Sequence, residues 1–268
     1  MLYPFVNTII RQRDARLPIN KLKALVEGGS KTEILEILNE FDIENTNLSL
    51  LEANIKINNA FRREAQGLSN LLKGSEFLHL FTRRFEIFGI IEFITNFNEF
   101  KISSKVINNI EPFGLEPNLD LKTFVNKLNT RFGFNLNQSS RVGELRDQIL
   151  RQYLIKLSSI GSGEAKLLVI REHKLVETLH REDFIHFLSE NRTSWFYNVL
   201  KGDRNLLDLK YIFYLYGQAQ KLAIKNPLGE MVTMYYIYKM DLSYKLIKAL
   251  YLSIKKGIKL DFEQVWET

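Results

Sequence analysis

Cysteine is absent from the 268 residues, which excludes a disulfide framework, a thiol nucleophile and any thiolate metal site. Proline is scarce, at five, and glycine stops at 14, so collagen-like and Pro/Gly-rich disordered classes are excluded as well. Long apolar runs are also missing. The tracts FEIFGIIEFITNF and LLDLKYIFYLYGQAQKLA are broken by Glu86 and Glu92, and by Asp208 and Lys210. Neither reaches the roughly 20 uninterrupted apolar residues that cross a bilayer. The opening segment MLYPFVNTIIRQRDARL is apolar first and basic afterwards, the reverse of a secretory signal. Its Asp14 and lack of serine also argue against a mitochondrial presequence. Strand signals are wanting too, because no paired alternating runs are joined by Asn-Gly or Asp-Gly.

What is present reads as helix. In residues 31–41, Ile34, Leu35, Ile37, Leu38 and Phe41 recur at three and four residues, and Ser30 with Glu33 has the spacing of a capping box. Gly28-Gly29 supplies the break before it. Further helices are expected over 48–72, 75–98, 120–132 and 142–158. Loops are expected at Glu111–Leu119, which holds two prolines and a glycine, at Asn135–Ser140, and at the turn 161–163. Near the C-terminus one helix is expected over 205–224, a second opening at Pro227, and a third over 240–256 that ends at Gly257. In that last helix Leu242, Leu246, Ile247, Leu250 and Ile254 share one arc, at about 100° per residue. Asp241, Lys245, Lys248, Lys255 and Lys256 fall on the other, which reads as a solvated face. From Lys201 to Leu260 there are 11 basic residues against four acids, a surplus of +7, while the whole chain carries +6. Such asymmetry points to an acidic partner, a nucleic acid or an anionic surface, or serves solubility alone.

Catalytic motifs do not emerge. There is no HExxH, no GxSxG elbow and no glycine-rich phosphate loop, and the GSGE at 161–164 reads as a turn. His173, His180 and His186, with Glu177 or Asp183, are the only metal candidate, against the plainer reading of surface and half-buried histidines. No cofactor and no small-molecule substrate are expected. Tyr235, Tyr236, Tyr238, Tyr244 and Tyr251 beside the C-terminal lysines permit nucleic-acid binding, although no recognition motif accompanies them; tyrosine-rich helices also serve protein interfaces.

Two terminal segments together resemble a known family. The first carries Tyr3, Asn7, Arg11, Arg13, Arg16 and Leu17; the second runs from Leu207-Leu-Asp-Leu-Lys210 through Asn226-Pro227-Leu-Gly229 to Tyr236 and the 240–256 helix. With the middle stretch Arg83-Arg84-Phe85-Glu86, these look like the C subunit of V-type and archaeal-type rotary ATPases, called subunit d in the vacuolar enzyme. The resemblance covers roughly the first 100 residues and the last 65 of the chain.

The resemblance implies an all-α, funnel-shaped body of up to three similar helical units. Tentative units are 1–100, a reduced 101–170 and 171–268, because the chain is shorter than typical members. It also implies a non-catalytic central-stalk subunit that links the rotor shaft to the membrane proteolipid ring. The expected partners are shaft subunits and that ring. The expected location is the cytoplasmic side of a membrane, within a peripheral membrane complex for ion or proton transport. Interface candidates are Tyr3, Asn7, Arg11, Arg13, Arg16, Tyr236, Lys245, Lys248, Lys255 and Lys256. For the three arginines, carboxylate pairing inside the body is the competing role. A basic helical nucleic-acid-binding or scaffold protein is the alternative function.

Overall fold

The computed structural model describes residues 3–14, 19–44, 47–72, 74–96, 121–137, 142–203, 206–257 and 262–266. Among these, all regular secondary structure is helical. The N-terminal helices are α1 (Tyr3–Asp14), α2 (Ile19–Gly28), α3 (Lys31–Asn39), α4 (Leu50–Leu71), α5 (Glu76–Thr82) and α6 (Arg84–Asn96). The middle of the chain supplies α7 (Leu121–Phe132), α8 (Val142–Ile160), α9 (Gly163–Leu179), α10 (Phe184–Glu190) and α11 (Trp195–Leu200). The C-terminal end supplies α12 (Leu207–Lys225), α13 (Met231–Lys256) and the short α14 (Glu263–Trp266).

Local signals set the helix starts. Ser30 and Glu33 close the anticipated capping box on α3, and Ser49 with Glu52 closes a second on α4. In each, the serine hydroxyl accepts the third backbone N–H while the glutamate accepts the serine N–H, so two orphan donors are satisfied. Gly257 caps α13 with φ 64°, a left-handed conformation that glycine adopts without a Cβ clash. Gly163 likewise has φ 52° where the 161–163 turn enters α9.

Two helix boundaries differ from expectation. The helix anticipated over 75–98 is broken at Arg83 into α5 and α6. The Thr82 hydroxyl there donates to the His79 carbonyl at 2.8 Å, a local bond that competes with the helix ladder. At the C-terminal end, Pro227 opens no helix; it lies in a turn, and α13 then runs unbroken for 26 residues. The proline-bearing loop anticipated at Glu111–Leu119 lies outside the described residues, as do positions 138–140 of the other loop.

Helix α13 is the axis of the packing. It packs against α1 to α5, α9 and α12, and meets α6 through the Arg84–Asp241 and Lys248–Glu92 pairs. Between Met231 and Leu242 every residue but Tyr235 is buried. A helix covered all round needs no polar face, and this one has none until its last turns. The solvated face expected for Asp241, Lys245 and Lys248 is thereby corrected, since Asp241 is 1% exposed and the two lysines turn inward. Apolar side chains from Val6 to Val265 join one contiguous core.

The expected placement within a membrane complex is corrected as well. Among the described residues no helix is long and apolar enough to cross a membrane, and the membrane location is withdrawn.

The Ser49→Ala variant is expected to lose about 0.5–2 kcal/mol in urea unfolding, with the midpoint lowered and the slope unchanged. Ser162→Ala, at a start with no side-chain capping bond, is expected to change stability little.

Candidate functional site

The resemblance residues at the two ends of the chain meet in space. Asn7, buried on α1, donates from Nδ2 to the Pro227 carbonyl at 3.3 Å and to the Gly229 carbonyl at 3.4 Å. Arg11, one turn on, donates to the same Pro227 oxygen at 3.3 Å. Arg13 pairs with Glu64 at 3.0 Å, and the hydroxyl of buried Tyr236 donates to the same carboxylate oxygen at 3.1 Å. Intramolecular pairing is therefore what occupies Arg13. Tyr3 opens α1, and Arg16 lies outside the described residues.

Arg84 organises the interior. Opening α6, it is completely buried between Glu172 of α9 and Asp241 of α13. One guanidinium nitrogen donates to the Glu172 carboxylate and the other to Asp241 Oδ2 at 3.4 Å. The Tyr238 hydroxyl donates to Glu172 at 2.8 Å, and the guanidinium carbon lies 4.7 Å from the Phe81 and Tyr238 ring centres. Tyr153 closes the side by donating to the carbonyls of Leu80 and Phe81. Burial opposes the charge on Arg84, but Glu172, Tyr238, Asp241 and Tyr153 together outweigh it and hold the guanidinium protonated. Burial pushes the Asp241 carboxyl up, and Lys245 and Arg84 pull it back.

Lys245 carries this network to a cavity of about 440 Å³. Its ammonium lies 3.7 Å from Asp241 Oδ1 and donates to the Tyr211 hydroxyl at 2.9 Å. Burial would pull the ammonium pKa down, yet Asp241, Tyr211 and Asp208 raise it above the ordinary lysine range. Lys248, one turn on, pairs with Glu92 and approaches the Tyr244 hydroxyl at 3.4 Å. Six helices frame the space: α4 through Asn54, α6 through Phe88 and Glu92, α8 through Arg146 and Asp147, α9 through Val176 and Leu179, α12 through Asp208, and α13. Phe88 stacks on Tyr244 at 6.0 Å to give one apolar wall, and Leu150, Val176 and Leu209 give others. Lys255 and Lys256 are exposed in the last turn of α13, where Lys255 donates to the Leu48 carbonyl at 2.6 Å.

The cavity is thus a socket with apolar walls and fixed charges of both signs. Lys245, kept protonated, is a poor nucleophile or base near neutral pH. It serves as a held positive charge. The candidate metal ligands are not assembled: His180 faces Asp147 at 3.6 Å, His186 faces Glu190 at 3.2 Å, and Asp183 is held by Arg181. Among the described residues no group of three or more His, Asp or Glu side chains is placed to hold a metal ion.

Sequence reasoning missed Arg84, Glu172 and Asp241 as a set. The available signal was a charge inside an apolar helix: Arg84 among phenylalanines and Asp241 between Met240 and Leu242. No family model, curated protein or solved structure matches the chain.

Arg84→Met is expected to cost about 3–5 kcal/mol, because buried Glu172 loses its counter-charge and Asp241 keeps only Lys245. Adding Glu172→Gln should restore part of that loss, since the amide still accepts from Tyr238; an additive double variant would contradict the coupling. His173 gives a pH signature of its own. Burial lowers its pKa below 6.5, so the folded form stays neutral while the unfolded chain takes up a proton. Stability should therefore fall as pH drops from 6.5 toward the lowered value, with a shallower fall in His173→Gln. The check is urea unfolding at a series of pH values.

Proposed function

We propose that this chain is a non-catalytic central-stalk coupling subunit of the V/A-type rotary ATPase class. It seats the foot of the rotor shaft in the socket at the C-terminal half of α13. Under this reading the helical body is a funnel of up to three similar units, with the central one, in 101–170, reduced.

The observation that carries the reading is the socket itself. It is a concavity framed by six helices, with paired charges fixed on its walls, and it suits a protruding protein end better than a flat contact does. Its walls are braced from behind by the Arg84 network, which links α6, α9 and α13. A torque-bearing seat needs such stiffness, because compliance in the seat would absorb rotation. The resemblance names the partner, and the joining of Asn7 and Arg11 to the 227–229 turn gives its scattered residues a common structural role. The nucleic-acid alternative loses its main support. Two of its lysines, Lys245 and Lys248, are spent on Asp241 and Glu92.

Binding of the purified chain to a purified rotary-ATPase shaft subunit tests the proposal. Measurable binding is expected, and Ala249→Trp, which fills the socket from its half-buried wall, should weaken it about tenfold or more with the helical circular dichroism retained. Absence of binding by the unaltered chain, or binding indifferent to Ala249→Trp, contradicts the proposed role.

A further inference from the structure

The charges on the socket wall divide into those already spent and those left over. Three pairs are internal: Lys245 with Asp241, Lys248 with Glu92, and His180, just past the end of α9, with Asp147 of α8. Two charges remain. Arg146 of α8 and Asp208 of α12 both line the cavity, and both are exposed. Among the described residues neither side chain forms a salt bridge or a hydrogen bond.

The sequence around each explains why. Val142, Gly143, Ile149 and Leu150 stand three and four residues from Arg146, so no acid shares its helix face. Tyr211 and Ile212 stand three and four residues beyond Asp208, and neither is a cation. Lys245 feels the Asp208 charge, yet it hydrogen-bonds the Asp208 backbone carbonyl at 3.4 Å and takes Asp241 as its ion-pair partner. The two residues left over are opposite in sign. They also sit on different edges of the cavity, each on a helix that packs against α9.

A seat that transmits rotation has to fix the angle at which its occupant sits. Apolar walls such as Phe88, Leu150, Val176 and Leu209 hold an occupant without preferring an angle, because the hydrophobic effect is non-directional. A cation on one edge and an anion on another supply the missing direction. One orientation satisfies both, and turning the occupant sets like charges against each other. We infer, on the shaft-foot reading above, that Arg146 and Asp208 are the specificity-determining residues of the socket and key the seated end at a single angle. The end they describe has an apolar tip, a carboxylate facing α8 and a Lys or Arg facing α12. The planar fork of Arg146 suits a carboxylate, which it binds through two parallel N–H bonds. A phosphate backbone fits poorly, since it would meet Asp208, Asp147 and Glu92 on the same walls.

Binding of the full chain to a purified rotary-ATPase shaft subunit is measured for Arg146→Glu and Asp208→Lys, with retained helical circular dichroism as the control for folding. These reversals move the net charge in opposite directions, yet each should weaken binding about tenfold or more, because each replaces an attraction with a repulsion. Asp208→Lys also sets a cation in the first turn of α12, where the helix dipole disfavours it. Asp208→Asn, which only removes the charge, is therefore measured beside it and should weaken binding about threefold. If one reversal tightens binding while the other weakens it, the socket responds to overall charge and the key is overturned. Binding that falls with Ala249→Trp but is indifferent to all three charge variants overturns the key and leaves the shaft seat standing. Absence of binding by the unaltered chain removes both.

Discussion

A guanidinium buried beyond reach of water has to be neutralised where it stands, and Arg84 meets that demand by drawing three helices together. Its fork needs Glu172 from α9 and Asp241 from α13, while its own backbone opens α6. Removing two carboxylates and a cation from water is costly, and the arrangement holds because each has a counter-charge, with a Tyr238 hydrogen bond added at Glu172 and a second cation, Lys245, beside Asp241. Register follows from it. A one-residue shift of α13 would turn Asp241 away by about 100° and leave Arg84 half compensated.

The same network places the socket. Asp241 sits between Arg84 and Lys245, so the interior charge chain ends at the cavity wall. The break at Arg83 has its purpose here, because a helix continuous from 75 to 98 would carry Arg84 on a different path. The basic surplus of the C-terminal quarter takes on a different meaning as well. Part of it is counter-charge for buried or half-buried acids, with Lys245 serving Asp241 and Lys248 serving Glu92, while Lys221 and Lys225 at the far end of the α12–α13 hairpin remain on the surface.

The helical class was legible because it rests on local rules. Apolar spacing, the Ser30–Glu33 box and the Gly257 cap act within a few residues, and all of them hold in the structure. Periodicity was less dependable for α13. It assumed one apolar and one wet face, but other helices surround that element over most of its length, and burial on every side let tyrosines, Asp241 and Lys239 take inward positions. The site was legible in part. Asn7, Arg11, Arg13 and Tyr236 were singled out individually, yet their partners Pro227, Gly229 and Glu64 are 51 to 222 residues away, beyond any local pattern. The pairing of Arg84 with Glu172 and Asp241 was invisible for the same reason, since they lie 88 and 157 residues from it.

The socket lies toward one end of α13, and the stiffness of that long helix depends on the ionic hub midway along it. Hydrogen–deuterium exchange on Arg84→Lys tests this most directly, since lysine keeps the charge but lacks the fork that reaches both carboxylates. If Arg84 joins three helices into one unit, amides of α6, α9 and α13 lose protection together and by a similar factor. Loss confined to α6, with α9 and α13 protected as before, would contradict it.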